Sequence, residues 1–164
     1  MVWSCLVSIL PGMAQTEKLT DYVNPFVGTD GYGNVYPGAQ IPFGGIQISP
    51  DTDSRFYDAA SGYKYNHLTL MGFSLTHLSG TGIPDLGDFL FIPGTGEMKL
   101  EPGTHEDPDQ GYRSRYSHDK EWASPNYYAV ELADYGVKAE MTSGVRSGMF
   151  RFTYPESDNA FIMI

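Results

Sequence analysis

The sequence predicts an all-β chain that folds as an antiparallel β-sandwich. Nineteen Gly and eleven Pro supply many turns, and twelve Tyr and nine Phe are residues that strands favour. Apolar residues seldom recur at helical spacing, so we expect little helix. With 164 residues, 41% of them hydrophobic, the chain is long enough for one core and short for two.

The strands follow one another at short, regular intervals. The turn signal Asp134-Tyr135-Gly136 separates two alternating runs and predicts a hairpin. Residues 101–116 are highly charged and contain two prolines, which predicts a solvated excursion. The last six residues, NAFIMI, read as a strand without a following turn, so we expect a C-terminally truncated piece of a longer protein. The predicted strands are 39–49, 68–75, 88–93, 127–132, 137–142, 148–154 and this final run.

The net charge limits the classes of molecule that the chain is expected to bind. A net charge of −10, with only ten scattered Lys and Arg, argues against nucleic acid, whose binding depends on neutralising phosphates. A neutral sugar makes no such demand. The composition is compatible with sugar binding and does not by itself indicate it.

The first fourteen residues predict a secretory signal remnant. They carry no charge, contain an apolar run over 6–10, and end in Gly-Met-Ala before a predicted cleavage after Ala14. The alternative is a buried first strand. Cys5, the only cysteine, would leave with the signal, so the mature chain would hold no disulfide. No run reaches the length of a membrane span, and we expect a secreted or periplasmic protein.

Two segments, 24–52 and 72–95, combine many glycines with small polar side chains. Loops of this kind let the backbone approach a polyhydroxylated ligand closely. Gly28, Gly31 and Gly33 are either turn residues with positive φ or points of ligand approach. Their spacing is not that of a dinucleotide-binding loop, because neither the third Gly nor a following helix is present.

These two segments, together with SGYKY at 61–65 and the stretch 117–142, resemble the N-terminal domain of glycoside hydrolase family 92. The resemblance runs from about Tyr22 to the last residue. It implies that residues 15–164 form an incomplete N-terminal β-sandwich domain of a secreted, calcium-dependent, inverting exo-α-mannosidase. The substrates implied are mannose-containing glycans, in particular α-1,2-type mannosides of N-glycans.

The resemblance also implies that the catalytic groups lie outside this chain. The acid, the base and most calcium ligands of similar enzymes belong to a C-terminal helical barrel, which would be a missing partner of this chain. We therefore assign no catalytic residue and no metal ligand here. The positions predicted to bind substrate are Gly28, Thr29, Asp58, Ser61, Gly62, Tyr63, His77, Ser79, Thr81, Asp85 and Asp88.

The sequence departs from the family pattern at four positions that neighbour these predicted binding residues. Tyr57 and Ala60 stand where similar proteins read Trp and Cys beside the terminal-mannose pocket. Leu75 replaces the first His of FSHTHLSGTG, and Asn34 replaces another His. These departures leave the linkage preference open.

Several roles stay open at this stage. Asp85 and Asp88 are either an acid and base, which inversion requires, or turn formers beside glycine. His77 either organises its loop or hydrogen-bonds a sugar hydroxyl. Tyr63 and Tyr65 either contact sugar or pack on a strand. The competing functions for the whole chain are a stand-alone carbohydrate-binding module and a purely structural sandwich.

Overall fold

The computed structural model describes residues 17–53, 57–80 and 82–164, with the backbone alone for Asp58. The predicted signal and Cys5 lie outside these ranges. Within them, no helix is long and apolar enough to cross a membrane.

Ten strands and four 3-10 helices make up the described secondary structure, which contains no α-helix. The 3-10 helices are Leu19–Tyr22, Tyr57–Ala59, Pro108–Gln110 and His118–Lys120. The strands are β1 Ser49–Asp51, β2 Thr69–Leu70, β3 Gly72–Ser74, β4 Leu90–Thr95, β5 Ser114–Arg115, β6 Glu121–Ser124, β7 Tyr127–Leu132, β8 Val137–Ser143, β9 Gly148–Thr153 and β10 Ala160–Met163.

Two four-stranded antiparallel sheets form the sandwich. One has the order β1-β3-β4-β10 and the other β6-β7-β8-β9, while β2 and β5 pair separately. The core lies between the large sheets, where Phe73 of β3 packs against Phe150 and Phe152 of β9 at ring-centre distances of 6.4 and 6.2 Å. Alternate residues of β7 and β8 also point inward, as a half-buried sheet requires. The predicted antiparallel β-sandwich is confirmed.

The hairpin prediction agrees closely with the structure. The predicted runs 127–132 and 137–142 correspond to β7 and β8, and Gly136 in their turn has a φ of +64°. The later strands β9 and β10 also lie where they were predicted, and β4 begins two residues later than predicted. The short strands β1, β5 and β6 were not foreseen, because runs of two to four residues give too little pattern to detect.

Two strand predictions are wrong. Residues 39–49 do not form a continuous strand, because the chain turns after Pro42 and Gly44 donates a hydrogen bond back to the Ile41 carbonyl. Only an isolated bridge joins Ala39 to Ile48. Residues 68–75 are divided at Met71 between two sheets, with β2 pairing β5 and β3 pairing β1.

The prediction of a solvated excursion at 101–116 is wrong at its C-terminal end. Arg113 is fully buried, and its guanidinium donates to the Thr52 carbonyl at 2.5 Å. Burial, followed by the Arg113 charge, lowers the pKa of His105 to about 4. Polar partners therefore hold Arg113 inside, which composition alone does not reveal, whereas the acidic residues at 101, 106, 107 and 109 are exposed as expected.

Replacing Phe73 by Ala is expected to lower the free energy of unfolding by about 3–5 kcal/mol, because the variant loses its ring contacts with the opposite sheet and leaves a cavity. Urea denaturation would measure the loss. Phe43→Ala is the matched control, since the Phe43 side chain is fully exposed. Equal losses in the two variants would contradict a core centred between these sheets.

Candidate functional site

The two glycine-rich segments and the 57–65 segment meet in space. Backbone and side-chain hydrogen bonds join the loop 28–38 to residues that follow the 3-10 helix Tyr57–Ala59. The Tyr65 amide donates to the Thr29 carbonyl at 2.9 Å, and the Lys64 ammonium donates to the Gly31 carbonyl at 2.6 Å. The Gly80 amide donates to the Asn34 carbonyl at 2.6 Å, which brings the second glycine-rich segment to the same place.

His77 lies at the centre of this meeting point. The His77 ring is buried, with Nδ1 2.6 Å from the Gln47 carbonyl and Nε2 2.9 Å from Asp51 Oδ1. The Ser74 hydroxyl donates to Asp51 Oδ2 at 2.6 Å and lies 3.0 Å from His77 Nε2. His77 therefore ties together the segment before β1, the end of β1 and the end of β3.

Gly62 closes over this cluster. It has a φ of +85°, and a Cβ there would lie 2.3 Å from Asp51 Oδ1 and 2.9 Å from His77 Cδ2. Only glycine fits this approach without displacing the pair. Beside it lies a small hollow of about 70 Å³ lined by Asp51, Ala60, Gly62, Met71, His77, Asp85, Leu86, Gly87 and Leu90.

Asp85 lines this hollow, and Asp88 follows it in the segment that leads to β4. Both are exposed. Asp85 Oδ1 accepts the Leu86 amide at 2.8 Å, and Leu86 itself has a φ of +70°. Asp88 Oδ2 accepts the Thr76 hydroxyl at 3.4 Å. These contacts are those of turn formers.

The other predicted positions divide into exposed and internal groups. Gly28 and Ser79 are exposed on the loops, whereas Thr29, Ser61 and Tyr63 are buried. The Thr29 hydroxyl donates to the Phe26 carbonyl, and the Ser61 hydroxyl donates to the Tyr63 carbonyl. Thr81 and the side chain of Asp58 lie outside the described part. The sugar contacts assigned to all these positions stay predictions.

Tyr63 reaches a buried carboxylate that the sequence did not point to. Its hydroxyl lies 2.9 Å from Glu121 Oε1, and the Tyr128 hydroxyl donates to the same oxygen at 2.5 Å. His118 Nδ1 lies 2.6 Å from Glu121 Oε2. Burial, then neighbouring Tyr116 and Glu121, raises the pKa of Tyr63, so its hydroxyl remains a donor. Nothing in the local pattern distinguishes Glu121 from a surface Glu on a strand.

The glycines of the first loop have separate roles. Gly28 and Gly31 have φ values of +84° and +59°, as turn residues do. Gly33 lacks a positive φ, which excludes the first of its two predicted alternatives, a turn residue with positive φ. Gly33 instead packs directly on the backbone, because a Cβ there would lie 2.1 Å from the Gly28 carbonyl oxygen.

Among the substituted positions, Ala60 is buried and lines the hollow described above. Leu75 is half-buried and packs against the core. Tyr57 is exposed and lies against Gly82, where a Cβ would be 2.4 Å from its ring. Asn34 has a φ of +47°, and its buried side-chain oxygen meets no hydrogen-bond donor among the described residues.

Comparison with known proteins extends these observations. A sequence model described as the glycosyl hydrolase family 92 N-terminal domain matches residues 22–164. The chain belongs to glycosyl hydrolase family 92. It is similar to a protein from Arthroderma benhamiae named an uncharacterized secreted glycosidase, with 30% identity over 139 residues that cover 84% of this chain and 17% of that protein.

Two solved family 92 structures share the fold. One is an inverting mannosidase from Bacteroides thetaiotaomicron, with a TM-score of 0.71, 28% identity and coverage of 90% of this chain. The other is the family 92 glycosyl hydrolase ccman5, with a TM-score of 0.72, 32% identity and coverage of 87%. This chain spans 20% of each of those chains, so it corresponds to one part of a family 92 enzyme.

The family 92 resemblance also led us to expect calcium. Calcium prefers six to eight oxygen ligands, with carboxylates the strongest. Across 17–53, 57–80 and 82–164, no group of three or more His, Cys, Asp or Glu is arranged to hold a metal ion. The described residues of this chain do not form such a site by themselves.

Replacing Gly62 by Ala is expected to destabilise the chain more than replacing Gly96 by Ala. The two glycines have nearly the same φ, +85° and +84°, so both variants incur about 1–2 kcal/mol of backbone strain. Only the Gly62 variant also collides with Asp51 and His77, since Gly96 faces open space. Urea unfolding of both variants measures the difference, and equal losses would show that the crowding is relieved without cost.

Tyr63→Phe and Tyr128→Phe test the role of Tyr63. Each removes one donor from the buried Glu121 carboxylate, and each is expected to lower the free energy of unfolding by about 1.5–3 kcal/mol. Chemical denaturation gives these values, and mannose titration followed by NMR gives the affinities. We expect similar affinities in the two variants. A loss of affinity confined to Tyr63→Phe would show that its hydroxyl reaches the sugar.

Proposed function

We propose that this chain is the N-terminal β-sandwich part of a secreted, calcium-dependent exo-α-mannosidase of family 92. The whole enzyme would hydrolyse mannosides of N-glycans, of the α-1,2 type, with inversion. This part would form one wall of the pocket for the terminal mannose, and the remaining polypeptide would supply the acid, the base and the calcium ligands.

The convergence of the glycine-rich loops supports this proposal most directly. Segments far apart in sequence meet around His77, Gly62 and the Asp85–Gly87 turn, and they leave a hollow at the surface. Small residues at its edge leave backbone groups within reach of a ligand, and exposed carboxylates accept hydrogen bonds from sugar hydroxyls. A wall for a polyhydroxylated ring requires both features.

The charges at the hollow favour binding over proton transfer. Inversion requires one carboxyl group as acid and another as base, about 6.5–9.5 Å apart, with a water between the base and the sugar. Asp85 instead accepts the Leu86 amide within its own turn, and Asp88 accepts the Thr76 hydroxyl. The buried carboxylate at the floor, Asp51, is occupied by His77 and Ser74. We therefore place the acid and the base on the remaining polypeptide.

Saturation-transfer NMR with methyl α-mannoside tests whether this chain forms one wall of the mannose pocket. We expect transfer from the chain to the mannoside, reduced severalfold in Asp85→Asn, which removes the charged acceptor at the rim. A smaller reduction is expected in Asp88→Asn, which removes the next exposed carboxylate along the chain. Asp158→Asn, in an exposed turn before β10, is the control and should behave like the parent chain. Absence of transfer to the parent chain would overturn the binding role.

An assay with an aryl α-mannoside and calcium tests the division of labour. The isolated chain is expected to show no multiple turnover. Sustained hydrolysis that disappears in Asp85→Asn or Asp88→Asn would place the acid or base in this domain and overturn the proposal. Binding without turnover, from a chain that continues into no catalytic domain, would favour a stand-alone carbohydrate-binding module.

A further inference from the structure

The buried contacts of His77 require a specific protonation state. Both ring nitrogens face acceptors: Nδ1 lies 2.6 Å from the Gln47 carbonyl, and Nε2 lies 2.9 Å from the Asp51 carboxylate. A neutral imidazole donates from only one nitrogen, so it satisfies one of these contacts. The imidazolium satisfies both. The Ser74 hydroxyl donates to the other Asp51 oxygen, which leaves Asp51 Oδ1 facing His77.

We propose that Asp51 is a positioning residue of the sugar site, holding His77 as an imidazolium so that the ion pair fixes the Gly62 loop and the Leu86–Gly87 turn. This inference rests on the proposed sugar-binding function. Asp51 acts through His77 and needs no contact with the sugar.

The geometry connects the ion pair to both rims of the hollow. On one side Gly62 lies against Asp51 and His77 with no room for a side chain, and its carbonyl accepts the Thr52 amide at 2.7 Å. On the other side His77 forms an isolated β-bridge with Leu86, next to which the Gly87 amide donates to the Thr76 carbonyl. The ring of His77 thus contacts one rim and its backbone the other, so displacement of the whole residue would move both rims.

The titratable groups around His77 determine how its protonation depends on pH. Among the described residues, the titratable groups that face His77 are Asp51 from β1, Tyr36 from the first loop and Asp85 across the hollow. Burial lowers the pKa of His77. The Asp51 carboxylate and the Gln47 carbonyl together raise it by more than burial lowers it, so the pKa of His77 lies above the usual 6.5. Burial raises the pKa of Tyr36 to about 12, so this ring is uncharged at neutral pH.

The raised pKa of His77 determines how the stability of the fold changes with pH. A histidine whose pKa is higher in the folded than in the unfolded state stabilises the fold fully below its unfolded pKa. That contribution is lost as the pH rises through the folded value. The loops around the hollow should therefore be best ordered in acid to neutral solution and should loosen at higher pH.

NMR of the ring nitrogens and of amide exchange tests the positioning role in the chain itself. In the parent chain we expect the doubly protonated form of His77 to predominate at pH 6.5, and the midpoint of its deprotonation to lie above that pH. In Asp51→Asn the pKa should fall by at least about one unit, because burial then acts with a weaker opposing interaction. Exchange of the Gly62 and Gly87 amides should accelerate at least tenfold at pH 6.5.

Controls separate positioning from general stability. Ser74→Ala keeps the carboxylate, so His77 should stay doubly protonated in a variant that has lost one buried hydrogen bond. Glu156→Gln alters an exposed carboxylate far from the site and should change neither readout. Amides of β7 and β8 should keep their parent exchange rates in all three variants. If Asp51→Asn fails to fold, the pH profile of His77 protonation in the parent chain still tests the inference.

The outcomes distinguish this inference from the proposed function. A neutral His77 at pH 6.5 in the parent chain, or parent-like exchange at Gly62 and Gly87 in Asp51→Asn, would overturn the inference. Mannose affinity, measured in parallel, should fall at least tenfold in Asp51→Asn. Loss of loop order without any mannose binding by the parent chain would sustain the loop-fixing role of Asp51 but remove its assignment to a sugar site.

Discussion

The close approach of Gly62 to the Asp51–His77 pair is the constraint on which the candidate site depends. A buried carboxylate and a buried imidazole are costly unless they satisfy each other and their remaining hydrogen-bonding groups. Here the Gln47 carbonyl and the Ser74 hydroxyl complete the set. Because the pair is enclosed, the segments that carry it can adopt few alternative positions. The glycine-rich loops thus gain an order that their own composition would not give them.

A second buried polar group connects this site to the body of the sandwich. Glu121, at the start of β6, accepts hydrogen bonds from Tyr63 of the loop and from Tyr128 of β7. Hydrogen bonds to a buried charge are stronger than neutral ones, and a fully satisfied network resists deformation. The loop next to Gly62 is therefore fixed at both ends, at one by the His77 cluster and at the other by the second sheet. Strand pairing alone provides neither connection.

The sequence predicted those features that repeat along the chain or that lie in the loops. Alternation over 127–142 located β7 and β8, and glycine-rich composition located the loops that meet at the hollow. Asp51, Ser74 and Glu121 were missed, because each is one polar residue in a short strand whose partners come from distant segments. Leu75 shows the converse case. Its position in the family pattern drew attention to the pocket, whereas its side chain packs against the core.

The same reasoning explains why so many of the predicted binding side chains are buried. The hydroxyl groups of Thr29 and Ser61 donate hydrogen bonds to backbone carbonyls, and that of Tyr63 donates to Glu121. A loop that must hold a precise shape beside a ligand needs such internal partners, since its glycines favour many conformations. The surface of the proposed sugar site would then be made of backbone and of the exposed side chains of Asp85 and Leu86 at the hollow. Under the proposed function, such a surface would select a sugar ring by shape and hydrogen bonding, and groups on the remaining polypeptide would cleave the bond.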